Sequence, residues 1–89
     1  LFQESCMVHA RQWSGPPPAL PWRGLVQLRS QHRGADAELA LCGPDTGMIR
    51  FASPQRAITP GQFAVFYDHD MVLGSAVIGA TSAPDQQEP

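Results

Sequence analysis

Thr59-Pro60-Gly61-Gln62-Phe63-Ala64-Val65-Phe66-Tyr67-Asp68-His69-Asp70-Met71-Val72-Leu73-Gly74-Ser75-Ala76-Val77-Ile78 is the stretch that decides the fold. Proline presets φ near about −65° and glycine accepts a positive φ, so Pro60-Gly61 fits the centre of a type II turn. Phe63 to Tyr67 is aromatic and β-branched and carries no helix-period stripe, so it reads as a strand. Asp68-His69-Asp70 interrupts the apolar run and Met71 to Ile78 resumes it, which makes a second strand after a tight turn. Side chains alternate along a strand, so Phe63, Val65 and Tyr67 share one face while Ala64 and Phe66 share the other. Both faces are apolar. One can fill a barrel, and the other then needs a cover, either a second sheet or an adjacent domain.

Working upstream, Gly43-Pro44-Asp45-Thr46-Gly47 is a dense turn signal that predicts a hairpin between residues 37–42 and 48–53. Ala37 to Cys42 has helical propensity, but six residues between turns are too few for a lone helix, so a strand is expected. Ser53-Pro54-Gln55 reads as another turn. Leu25 to Arg29 predicts a strand, and Gln31 to Asp36 a turn or an irregular extension. Ser14-Gly15-Pro16-Pro17-Pro18 is an extended loop, because proline neither donates to a ladder nor continues a helix. Pro18 and Pro21 also have the spacing of a PxxP ligand, although a loop crossing between strands explains them. Cys6 to Gln12 predicts a short strand that ends at Trp13, with room for one helical turn at Leu1 to Ser5. Residues 80–89 contain no aromatic or large aliphatic side chain and predict a disordered tail. The sum is an all-β chain: a small, closed or nearly closed antiparallel barrel of about six strands over residues 1–79.

The 89 residues suffice for one small domain, and 43% of them are hydrophobic. A core of this size is marginal alone, so packing on neighbouring protein is expected. The chain begins at Leu1 without a signal-peptide pattern, which we read as the C-terminal end of a longer protein. No apolar run reaches membrane-spanning length. The net charge is −2, with six arginines and no lysine. A domain that binds nucleic acid strongly by itself is usually basic, so this one offers at most a local arginine patch within a larger binder. Cys6 and Cys42 form no metal-binding pattern and are expected as partly buried free thiols.

No catalytic constellation emerges, and no metal-binding or cofactor-binding residue is assigned. A phosphate-binding loop needs a lysine that the chain lacks. Asp68, His69 and Asp70 look like an acid–base cluster, yet in a tight turn all three face solvent. His9 stands three residues after Cys6, on the opposite face of a strand, so the two do not make a nucleophile pair. Arg23, Arg29 and Arg33 cluster with Gln31 and His32. Guanidinium forks match phosphate oxygens, so Arg29, then Arg33 and His32, are the candidate phosphate contacts. The competing expectation is a solvated face in which Asp36 and Glu38 pair with these arginines.

The stretch 59–78 resembles the C-terminal domain of the tRNA-specific 2-thiouridylases, also called tRNA-uridine 2-sulfurtransferases. That family's pattern runs Thr-Pro-Gly-Gln, Ala-Val-Phe-Tyr, a Gly-Asp/Glu turn, then Leu-Gly-Gly-Gly and Ile. Here stand Thr59-Pro60-Gly61-Gln62, Ala64-Val65-Phe66-Tyr67, Asp70, Leu73-Gly74 and Ile78, of which Pro60, Gly61, Gln62, Tyr67 and Gly74 are the structural motif residues. Gly61 to Tyr67 and Leu73-Gly74-Ser75 look like the mitochondrial branch. Trp13 occupies the place of a family tryptophan, and Leu25 to Arg29 resembles the strand before an Arg-Tyr-Arg motif, of which only Arg29 matches. His69 replaces the turn glycine, and Ala76 a late glycine. The resemblance implies a six-stranded barrel related to those of elongation factors. It implies that ATP with Mg, adenylation of the wobble uridine and persulfide sulfur transfer belong to preceding domains. It further implies tRNA and a sulfur-donor protein as partners of the parent enzyme, no membrane, and a mitochondrial location with a cytoplasmic alternative. A stand-alone β-barrel interaction module, or a barrel that only stabilises its parent, are the other readings.

Overall fold

A computed structural model describes residues 2–29, 33–56 and 58–79. Six strands are present: β1 (Phe2–Trp13), β2 (Trp22–Leu28), β3 (Ala35–Leu41), β4 (Gly47–Arg56), β5 (Phe63–Asp68) and β6 (Met71–Ile78). They close into a barrel in the order β1-β4-β3-β2-β5-β6, and every neighbouring pair is antiparallel. Closure comes from β1 pairing with β6, so the first strand meets the last. The expected all-β barrel is therefore present, with each expected strand in place. The expected tail at 80–89 lies outside the described residues.

The core is built by period-two alternation. Each strand supplies two buried apolar residues two positions apart: Cys6 and Val8, Val26 and Leu28, Ala37 and Leu39, Ile49 and Phe51, Ala64 and Phe66, Ala76 and Ile78. Ile58 joins them from the connection into β5. The two faces of β5 are thereby told apart. Ala64 and Phe66 point inward, while Phe63 is 46% exposed and Val65 and Tyr67 are half-buried on the outside.

The register explains that choice. Ala64 stands opposite Ala76, and Phe66 opposite Gly74, so small partners leave room for one large ring. Trp13 stands on the other side of Gly74. A Cβ on Gly74 would run into the Gln12 carbonyl oxygen and the Trp13 ring. Glycine thus lets Trp13 stack on Phe66, with ring centroids 5.5 Å apart and 30° between planes. Trp22 meets Phe66 edge-on at 5.6 Å. These three rings, with Leu20 and Leu73 packed on the core, fill the barrel end that carries the β1–β2, β3–β4 and β5–β6 connections.

The Pro60-Gly61 turn forms as the sequence predicts. Gly61 has φ +91°, and the Gln62 N–H donates to the Thr59 carbonyl at 3.3 Å. The Gly61 N–H donates to Ile78 O at 2.7 Å, and the Ile78 N–H returns to Gln62 O at 2.8 Å, which ties the turn to the end of β6.

Four local expectations are corrected. Ser53-Pro54-Gln55 is not a turn but part of β4. Gln3 pairs with Gln55 and Ser5 with Arg50, so β4 bulges between those points and Pro54 sits where the ladder is interrupted. The segment from Phe2 to Ser5 is strand and not a helical turn, because this outer half of β1 pairs with β4. Arg29 lies one residue beyond β2, in a turn. Cys6 is buried, but Cys42 is exposed in the β3–β4 turn, and both are free.

Candidate nucleic-acid interface

Antiparallel strands sort the connections between the two barrel ends. The β2–β3 and β4–β5 connections and the start of β1 lie at the end opposite the tryptophans. Arg29 follows β2 there, exposed, and its backbone N–H donates to Phe63 O at 3.0 Å, which anchors the turn to the start of β5. Arg33 is exposed in the bend before β3. His32 falls outside the described residues. Neither Arg29 nor Arg33 forms an ion pair among the described residues.

The same end carries a third arginine that the sequence reading missed. Arg56 closes β4, and its guanidinium lies over the Phe2 ring, 5.7 Å from the centroid. Arg56 is 23 residues from Arg33, so nothing in local spacing joins them. The strand order does, because β3 starts where β4 ends. Glu4 and Asp36 stand at this end too. The turn carboxylates Asp45, Asp68 and Asp70 stand at the other.

Arg23 separates from this rim. It lies opposite Glu38 on β3, and the two approach to 4.0 Å. Glu38 in turn faces Arg50 on β4. Asp36 lines the same outer groove, so two arginines and two carboxylates share it and no surplus charge remains for a phosphate. The expected pairing with Glu38 thus holds for Arg23 alone.

The residues of possible chemical interest are dispersed. Cys6 points into the core, and burial pushes its thiol up to about 12, so the thiolate nucleophile is withheld at neutral pH. His9 is exposed outside the barrel. His69 takes the positive-φ position of the β5–β6 turn at φ +58°, and its Nδ1 lies 2.9 Å from Asp68 Oδ1. Both side chains are solvated, His69 to 94%. The turn residues form no enclosed site, as alternation and turn geometry predict.

A family model described as the aminomethyltransferase beta-barrel domain matches residues 3–78. The chain belongs to this barrel-domain family. Curated relatives point to the proteins that carry such a barrel. A tRNA-specific 2-thiouridylase MnmA of Stenotrophomonas maltophilia (strain K279a) is 40% identical over 88 residues, covering 98% of this chain and 23% of the relative. One of Desulfotalea psychrophila is 51% identical over 79 residues, covering 88% of this chain and 23% of the relative. One of Acidothermus cellulolyticus is 44% identical over 69 residues, covering 78% and 19%. The chain therefore spans about a quarter or less of the length of these relatives. All three are bacterial, so they give the mitochondrial resemblance no support.

Proposed function

We propose that this barrel is the C-terminal domain of a tRNA-uridine 2-sulfurtransferase, in which it helps hold tRNA while the preceding domains carry out the chemistry. The observation that carries the reading is near-complete coverage of this chain by relatives named as tRNA-specific 2-thiouridylases, each several times longer. The residues here fit the division of labour. The one described cysteine in the core is held as a thiol, Gly61 serves a turn, and Gly24 and Gly74 lie against the Trp22 and Trp13 rings. In this reading ATP with Mg and the sulfur-donor protein belong to the rest of the parent, as the family resemblance implies, and no chemical step is assigned to this chain.

Within the proposal, Arg29 and Arg33 meet the phosphate backbone from the rim, and Arg56 stands beside them. His32 belongs to the same connection by sequence. Arg29→Ala in the full-length enzyme is expected to weaken tRNA binding and to flatten the slope of log affinity against log salt by about 0.7 to 0.9, the share of one phosphate contact. Unchanged affinity and slope would remove Arg29. Loss of thermal stability with normal tRNA affinity on deleting the barrel would assign it a purely stabilising role. The mitochondrial location is also proposed, on the likeness of Gly61 to Tyr67 and Leu73-Gly74-Ser75 to that branch. Cytoplasmic staining of a tagged full-length protein would overturn it.

A further inference from the structure

The outer face of the β5–β6 hairpin breaks the usual pattern of antiparallel sheets, which are apolar inside and polar outside. Phe63, Val65 and Tyr67 of β5 point outward, although Ala64 and Phe66 already fill the interior. Their neighbours continue the patch. Phe63 pairs with Val77 and Tyr67 with Val72 on β6, while Leu25 on β2 pairs with Tyr67. Phe63 is 46%, Val72 47% and the adjacent Met71 66% exposed. Gln27 and Ser75, which flank Val65, are uncharged, and the Phe63–Val77 row ends on His9 of β1 and on Arg29 beyond β2. A contiguous apolar face of this kind marks an interaction surface.

We infer that this face is the docking surface for the rest of the same polypeptide. The inference rests on the reading that the barrel is one domain of a longer thiouridylase. Three quarters or more of each relative's length lies outside the part that matches this chain, which supplies a large covalently attached partner. Its centre, Phe63, Val65, Tyr67, Val72 and Val77, carries no arginine or lysine, and Arg29 stands only at its edge beside Phe63, whereas single-stranded and duplex nucleic acids are gripped through phosphates, even where bases stack on aromatic rings. RNA is therefore the poorer occupant. The Arg29 amide bonds to Phe63 O, so the arginine rim begins where the apolar face ends. Docking through this face places Arg29 at the edge of the seam, where a tRNA bridging two domains would meet it.

The test is the double variant Phe63→Glu/Val72→Glu, made in the full-length enzyme and in the 89-residue chain. Both positions are solvent-exposed in the barrel alone, so the short chain is expected to keep its melting temperature to within a few degrees. The full-length variant is expected to release the barrel under limited proteolysis about tenfold faster than wild type, because cleavage follows the undocked population. If the glutamates unfold the short chain, Phe63→Ser/Val72→Thr is read in the same two measurements. Unchanged proteolysis of the full-length variant overturns the inference. So does a dimer of the short chain that the substitutions turn into monomer, which would make a second copy the occupant. Weakened tRNA binding with unchanged proteolysis would make RNA the occupant and overturn it as well. A wild-type enzyme that binds no tRNA would end the RNA reading yet leave the docking result standing.

Discussion

His69 and Ala10 are the two non-glycine residues with positive φ among the described residues, at +58° and +52°. The left-handed region costs an L-residue about 1–2 kcal/mol, partly offset on replacement by the greater freedom of glycine in the unfolded chain. His69→Gly and Ala10→Gly are each expected to stabilise the barrel by about 0.5–1 kcal/mol in urea titrations. A loss of stability would mean that the Asp68–His69 contact, or the bulge around Ala10, contributes more than the backbone strain costs. The His69 position was legible, because the resemblance places a glycine there. The Ala10 bulge was not. It arises where His9 pairs with Val77 and Gln12 with Ser75, so Ala10 and Arg11 together face one residue of β6. The cysteines offer a second check at this scale. Cys42 is exposed and Cys6 buried, so a thiol reagent at pH 8 is expected to label one site quickly and the second only on unfolding. Two fast thiols would contradict the buried position of Cys6. With its folded pKa raised to about 12, Cys6 keeps its proton in the native state above the pH at which the unfolded chain releases it. Stability is therefore complete below about pH 8.5 and falls as pH rises toward about 12.

At the scale of elements, the Trp13–Gly74–Phe66 tier holds β1, β6 and β5 together. Phe66 is fully buried, and its truncation to alanine is expected to cost about 3–5 kcal/mol by chemical denaturation. Gly74→Ala should also destabilise, since the added methyl meets the β1 backbone and the Trp13 ring, whereas Gly15→Ala, in open space, should change stability little. Equal effects of the two glycine substitutions would show that Trp13 moves aside at no cost. The strands themselves were legible because alternation and turn chemistry are local signals. The Pro60-Gly61 turn is the clearest case, where two residues set both φ values and the structure returns φ +91° at Gly61. Ser53-Pro54-Gln55 misled for a physical reason. Proline predicts a chain break when only neighbours are considered, but β4 runs on as the partner of Gln3 and Phe2, residues some fifty positions away, with the bulge absorbing the missing donor.

On the scale of the whole molecule, β1 contacts both β4 and β6, so the barrel closes only when the first and last strands meet. Deleting residues 2–13 would expose the edges of β4 and β6 together and remove Trp13 from Phe66. Loss of the cooperative unfolding transition, followed by circular dichroism, is the expected result, and a truncated chain that still melts cooperatively would show that five strands suffice. Closure also determines the electrostatics. A net charge of −2 argues against an autonomous RNA-binding domain, yet strand order brings Arg29, Arg33 and Arg56 to one end and three turn carboxylates to the other.

Sequence alone determined the all-β class, the number of strands, the two turns around Phe63–Ile78 and the family resemblance, because each rests on local periodicity, turn stereochemistry or a contiguous motif. It also showed that β5 is apolar on both faces. Which face goes inside was decided by the tertiary structure alone. The β5–β6 hairpin sets Gly74 and Ala76 opposite Phe66 and Ala64, and only the closed barrel brings Trp13 of β1 and Trp22 of β2 onto the Phe66 ring and makes that face the interior. Closure also turns Phe63, Val65 and Tyr67 outward, and the strand order brings Arg56 to the same end as Arg29. Those outcomes depend on register between distant segments, which no single stretch of chain encodes.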